Sequence, residues 1–416
     1  MAKTTFKEFP VDSASILFLS LIRPDHTNNI RFTTTLHETV DPDALQQAVN
    51  RIHKRFPSII AYLRQDFFHY TQVPTAIPPQ VKQEPGFLLP MTTKEIAEGC
   101  FRVYYLDNTI TFEAFHAMTD GYGGITIMTT LVAEYLNIRY GLVTPACLTR
   151  LDVSKQPLEE EVEDSFLKHT DSKPKHLPSR YSYLPQRPED TDRKVRVDSL
   201  LVDSGKIKAA AKRYGVTINS LITAVLSETV MELQLKKANG KKLKPVRVMI
   251  PVDLRRMVGS KTLRNFSLYT ISTMEPEHKD LPLTELCSLL GNQLKQQLSK
   301  EAQLAMVSYN VRTQNAWYFK MIPWKIKAAC MRIGYRFFGE SNSSLTLTNL
   351  GISQFPEEMD PYIADFQCFL TPRVSSPYGC TVMTFHDKVR LNMSHFCEYD
   401  ELGQLFFQKL KDIVEA

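Results

Sequence analysis

Apolar residues along the chain change period several times, and each change marks an element. Ile30 to Leu36 is apolar and β-branched enough for a strand. Past Asp41-Pro42 the period lengthens: Leu45, Ala48, Val49, Ile52 and Phe56 recur at helical spacing, with Asp41 as N-cap, Pro42 at the first helical position and Pro57 as the stop. Phe101 to Leu106 and Thr109 to Phe115 flank Asp107-Asn108, which predicts a β-hairpin and makes its second strand central. Ile125, Met128, Leu131, Val132, Tyr135 and Leu136 then predict a helix ending near Tyr140.

Residues 151–194 lose the pattern to charge and proline, with the acidic run Glu159 to Asp164. This segment is expected to link an N-terminal subdomain, 1–150, to a C-terminal one, 195–416. The second part resumes with strand-like Val195 to Val202, a helix from Ser204 to Tyr214 closed by Gly215, and a longer helix opened by Val216 to Ser220. Val246 to Val252 reads as a buried strand, Arg264-Asn265-Phe266 as a turn, and Ser267 to Ser272 as a further strand. Leu283 to Gln303 predicts a helix, Leu345 to Leu350 a strand, Tyr378 to Phe385 with Lys388 to Phe396 a hairpin about His386-Asp387, and Leu402 to Ala416 a closing helix. Ala316 to Phe338 mixes aromatics with Lys and Arg around Pro323. The expected form is a kinked core helix with snorkelling cations, and its alternative is a peripheral membrane contact.

Composition narrows the function classes. A chain of 416 residues that is 43% hydrophobic can fill real cores, and its formal charge of +5 is spread without a long basic run, so nucleic acid is not an expected partner. The seven cysteines are odd in number and form no CxxC pair, which points to reduced thiols and away from a disulfide framework or zinc site. No apolar run reaches the ~18 residues of a spanning helix, and MAKTTFKEFPVD lacks a signal-type apolar core, so the cytoplasm is the expected location.

The chemistry concentrates in Thr109 to Gly124, TITFEAFHAMTDGYGG. His116, Asp120 and Gly121 form HxxxDG where the predicted central strand gives way to the predicted helix. Glycine is scarce, 16 residues in all, yet Gly121, Gly123 and Gly124 cluster here, which suggests a sharp turn or a close backbone approach. A neutral imidazole can act as a general base near pH 7, since its ordinary pKa is about 6.5. A metal is not expected, because a strand places His116 and Asp120 off any common helical face and no third ligand is near.

This motif resembles that of the acyltransferase superfamily containing chloramphenicol acetyltransferase, the plant BAHD enzymes, condensation domains and alcohol acetyltransferases, the last group most of all. Phe115 stands where those proteins carry a first His, and His116 matches the second. GVTIN within Gly215 to Asn219, PVDLR from Pro251 to Arg255, and TNLG from Thr348 to Gly351 are similar to family segments and fall in the family's order. DFGWG is absent, which argues against the plant branch.

The resemblance implies an α/β, two-domain chloramphenicol-acetyltransferase-like fold, with a mixed sheet in each half flanked by helices and an active-site tunnel between the halves. It implies that His116 is the catalytic base, with Asp120, Gly121 and Arg255 structural at the active site, Asp120 being paired to an arginine for which Arg255 is the candidate. Asn349 is a candidate for lining the cleft. The implied reaction joins acyl-CoA, with acetyl-CoA favoured, to an alcohol or amine acceptor by direct attack. Two rivals stand beside it: a condensation-type transferase that takes its thioester from an acyl carrier protein, and a non-catalytic binding protein that keeps the fold. The sequence holds no short CoA-binding motif.

Overall fold

The Asp107-Asn108 turn closes a hairpin. In the computed structural model, which describes residues 7–170, 173–174, 181–185, 192, 194–335, 342–353, 355–374 and 376–416, Phe101–Leu106 pairs antiparallel with Thr109–Phe115. Asp107 takes the left-handed φ of 49° that the tight turn requires. On its other side Thr109–Phe115 pairs with Asn29–Leu36, which places it in the middle of a five-stranded sheet edged by Ile363–Leu370 and Lys82–Gln83.

The two faces of this motif strand differ in chemistry. Ile110, Phe112 and Ala114 join Phe32, Leu45 and Leu131 in an apolar core under the helices Pro42–Ile52 and Gly121–Tyr140. Thr111 and Glu113 alternate with them, and Arg31 reaches Glu113 at 2.9 Å and Glu84 at 2.6 Å. Burial pushes the Glu113 carboxyl up, against the charges of Arg31 and Arg102. The helix Pro42–Ile52 starts as expected, with the Asp41 carboxylate accepting from the Asp43 and Ala44 N–H groups. It stops before Phe56, which reaches the core from the following turn.

The second sheet has six strands in the order Ser267–Met274, Val246–Asp253, Leu345–Ser353, Tyr378–Phe385, Lys388–His395, Arg196–Asp203. Leu345–Ser353 is parallel to both neighbours and the other pairs are antiparallel, so the sheet is mixed. Helices Ser204–Arg213, Ile218–Lys237, Leu283–Gln297 and Glu401–Glu415 cover it through a core that includes Leu221, Val225, Val248, Leu347 and Phe406.

Two long helical expectations break into pieces. The span Leu283 to Gln303 forms as Leu283–Gln297 and Lys300–Asn315, because Ser299 interrupts it and caps the second helix by accepting the Ala302 N–H at 3.2 Å. Ala316 onward forms Trp317–Lys320 and Trp324–Gly334, with Pro323 as the N-cap of the second, and residues 336–338 lie outside the described residues. Trp324 is buried there, whereas Trp317, Tyr318, Met321 and Ile326 are exposed.

The two parts of the chain interlock. Ile363–Leu370, late in sequence, is an edge strand of the first sheet. The acidic run forms two short helices, Glu159–Val162 and Ser165–Lys168, docked on both sides: Glu161 takes both arms of Arg55 at 2.6 and 2.7 Å, and Phe166 packs with Val252 and Phe266. Most of the remaining expected linker, 171–194, lies outside the described residues. All seven cysteines are free thiols. No single helix among the described residues is long and apolar enough to cross a membrane.

Candidate active site

His116 directly follows the motif strand, and its backbone N–H donates to the Asn28 carbonyl at 2.8 Å. Both parts of the chain then fix the loop to Asp120. Ala117 O accepts from Ser15 Oγ at 2.5 Å and from Asn265 Nδ2 at 3.1 Å, and Thr119 Oγ1 donates to Leu263 O at 2.7 Å. Over the imidazole lies Phe18, stacked at 4.4 Å between ring centres and 19° between planes. Phe18 belongs to the helix Ser13–Ser20, whose first turn is capped by buried Asp12.

His116 is half-buried as a residue, and its Nδ1 is fully buried with no hydrogen bond of good geometry, which leaves Nε2 as the nitrogen free to serve a substrate. Burial holds the imidazole below its ordinary pKa. Nearby polar groups of its own backbone, the Asp120 charge and the Asn265 side chain oppose that shift without reversing it. The neutral form therefore prevails at pH 7.

Asp120 is buried. Its carboxylate receives Arg255 Nη1 at 3.0 Å and Nη2 at 2.9 Å, the Phe266 N–H at 2.8 Å and the Ser267 hydroxyl at 2.8 Å. It also caps the helix Gly121–Tyr140, accepting the Tyr122 N–H at 3.2 Å. Burial alone would raise this carboxyl; the Arg255 charge and these hydrogen bonds outweigh it, and the net shift is downward. With its oxygens so occupied, Asp120 has no lone pair directed at a metal shared with His116.

Arg255 is satisfied in turn. Nε donates to Thr262 O at 2.7 Å, Nη1 also to Asp253 at 2.8 Å, Nη2 also to Arg264 O at 2.6 Å, and the guanidinium lies 4.7 Å from the Tyr122 ring centre. All five of its donors are used.

The glycine cluster reflects close approach. A Cβ on Gly123 would come within 2.3 Å of the Leu263 carbonyl oxygen, and one on Gly124 within 2.1 Å of the Phe32 ring. One on Gly121 would meet only the Leu350 side chain, at 2.5 Å from Cδ2. Leu350 thus brings the strand Leu345–Ser353 against the start of the motif helix. Its neighbour Asn349 is exposed and accepts the Gly351 N–H at its Oδ1 at 2.8 Å, and none of its hydrogen bonds reaches the His116 loop.

Sequence reasoning misses Phe18, Ser15, Thr119 and the site role of Asn265. SASILFLS is apolar without a helical stripe, so nothing in it marks a helix that covers a histidine. Asn265 carries a signal only in retrospect, as a polar residue within Arg264-Asn265-Phe266.

Two mixed α/β halves joined at a histidine-bearing strand end make the two-domain fold of condensation-domain-like and chloramphenicol-acetyltransferase-like proteins. No family model matches the sequence, and no curated protein matches it. Solved structures do. Polyketide synthase associated protein 5 from Mycobacterium tuberculosis superposes with a TM-score of 0.61 at 14% identity, over 100% of this chain and 99% of that one. Trichothecene 15-O-acetyltransferase from Fusarium sporotrichioides gives 0.59 at 12%, over 98% and 95%. The starter condensation domain of rhizomide synthetase, solved with C8-CoA and Leu-SNAC, gives 0.58 at 13%, over 98% and 95%. At these identities the likeness is one of fold.

Proposed function

We propose that the protein is an acyltransferase that moves an acyl group from acyl-CoA to an alcohol or amine, with His116 as general base. The observation that carries this reading is the state of His116: a neutral, half-buried imidazole whose Nδ1 is buried, on a loop clamped by residues from both parts of the chain. The fold shared with an O-acetyltransferase and with a condensation domain solved with C8-CoA supports the reaction class, an acetyl donor and an alcohol acceptor being favoured.

In this reaction Nε2 takes the proton of the acceptor hydroxyl as its oxygen attacks the thioester carbonyl. The tetrahedral oxyanion collapses, the C–S bond breaks, and the imidazolium returns the proton to the sulfur, giving ester and CoA thiol. An amine acceptor gives an amide by the same steps. A lowered pKa suits both directions, since the imidazole stays unprotonated to accept and the imidazolium is a stronger acid when it donates. Asp120, Gly121 and Arg255 hold the loop and touch no reacting atom. Asn349, on the strand beside Gly121, lines the approach.

The test is thiol release from acetyl-CoA and longer acyl-CoAs with a panel of alcohols and amines, for wild type and His116→Ala. Acceptor-dependent release that falls by about a hundredfold or more in the variant is the expected result. Equal release from both proteins would remove His116 from the reaction. No release from either would favour a carrier-bound donor or a binding role.

A further inference from the structure

A cavity of about 170 Å³ lies where the two parts of the chain meet, lined by Arg23, His26 and Asn28 from one and by Arg332, Tyr335 and Arg373 from the other. Asn28 ties it to the candidate active site, because its carbonyl is the acceptor for the His116 backbone N–H. Among the described residues, no carboxylate lines the cavity. Among the described residues, Arg23, Arg332 and Arg373 form no ion pair, whereas Arg31, Arg55 and Arg255 all do.

The donors here are also left over. Arg373 gives Nη2 to Ser343 Oγ at 2.7 Å, but its Nε and Nη1 are buried without an acceptor, and so is Asn28 Nδ2. A charged donor buried without an acceptor is costly, and here one guanidinium keeps two such N–H groups beside an unpaired amide, with the exposed Arg23 and Arg332 at the rim. The complement of these groups is an anion with several acceptor oxygens, and a guanidinium fork fits phosphate geometry in particular.

We propose that this cavity binds a phosphate group of the thioester donor. The inference rests on the acyl-transfer reading, since it assigns the ligand as part of the donor. Two donors carry such a group: CoA, through its nucleotide or the phosphate of its pantetheine arm, and a carrier protein, through the phosphodiester of the same arm.

Calorimetric titration of the full chain with CoA, dephospho-CoA, 4′-phosphopantetheine and pantetheine tests this, using wild type, Arg373→Gln and the more exposed Arg332→Gln. Loss of Arg373 is expected to weaken CoA binding roughly ten- to a hundredfold and to leave pantetheine unchanged, with a smaller loss for Arg332→Gln. An equal loss for dephospho-CoA and phosphopantetheine assigns the arm's phosphate, common to CoA and a carrier. A loss confined to CoA assigns the nucleotide 3′-phosphate, which no carrier arm has. The proposal is overturned if wild type binds none of these ligands, if both variants bind all four like wild type, or if pantetheine weakens as much as CoA. Because His116 is not needed for binding, the two readings fail separately. Phosphate-dependent binding without thiol release would sink acyl transfer alone, and thiol release indifferent to Arg373 and Arg332 would sink this site alone.

Discussion

Arg255 closes on Asp120 with both arms of its guanidinium, Nη1 to Oδ2 at 3.0 Å and Nη2 to Oδ1 at 2.9 Å, across 135 residues of chain. The pair joins the start of the motif helix to the strand that leads into Arg255, and the His116 loop is held between them.

Removing Arg255 strands the buried Asp120 charge, and removing Asp120 leaves the buried guanidinium with only the half-exposed Asp253 carboxylate. Arg255→Ala and Asp120→Ala are each expected to cost about 3 to 5 kcal/mol. The pair replaced together should lose less than the sum of the single losses, because no charge is then left alone. Denaturant midpoints measure this. Single losses under about 1 kcal/mol, or strict additivity, would mean that the pair does not hold the halves.

The depressed His116 pKa predicts where activity fails on acidification. The base works unprotonated, so kcat/KM should fall as pH drops through a value below the ordinary 6.5 or so of an imidazole. Phe18→Ala, which opens the ring to water, should move that limb upward toward 6.5. A wild-type acid limb at or above 6.5 would show that the imidazole is not desolvated in the working enzyme.

The glycines should differ in tolerance. Gly123→Ala and Gly124→Ala push a methyl into backbone or an aromatic ring and are expected to cost about 1 to 3 kcal/mol each. Gly121→Ala meets the end of a flexible Leu350 and should cost less. Thermal midpoints order the three, and a Gly121 variant as damaging as the other two would assign that glycine a backbone role.

At the far end of the second sheet Asp400 caps the last helix through the Gly403 N–H at 2.7 Å, while its Oδ2 is buried without a hydrogen bond, 3.9 Å from the Nε2 of His395, which sits between it and Asp198. Burial first, and then the Asp198 charge, push this carboxyl up to about 7 despite the Gly403 N–H. Its folded pKa exceeds the unfolded value of about 3.9, so its contribution is intact below about pH 4 and is lost as pH rises through about 7. Asp400→Asn keeps the cap and should raise the melting temperature by a few degrees at pH 8 while changing little at pH 4. A gain of equal size at both pH values would rule out titration as the cause.

What the sequence makes legible has local causes. Asp107-Asn108 and His386-Asp387 declare their hairpins because the turn needs residues tolerant of left-handed φ, and Asp41-Pro42 declares a helix start because cap and first-turn proline are adjacent. What stays hidden is long-range. Ser13–Ser20 shows no helical stripe because residues from both parts of the chain surround it, and Ile363–Leu370 finds its partner strand early in the chain. Arg255 illustrates the boundary: its segment resembles a family pattern, but its bonds to Thr262 O and Arg264 O exist only after folding.

The late strand Ile363–Leu370 also sets a timetable for biosynthesis. Thr371, which bonds Asn29 just past the end of that strand, is made 342 positions after it. At about 5 to 20 residues per second the delay is on the order of half a minute. A first sheet that forms before synthesis ends therefore leaves Asn29–Leu36 with an unpaired edge over that interval, a template for wrong pairing. A gene split between the two parts would accordingly yield a first fragment unable to complete its own sheet, and only co-expression with the second could supply the missing edge.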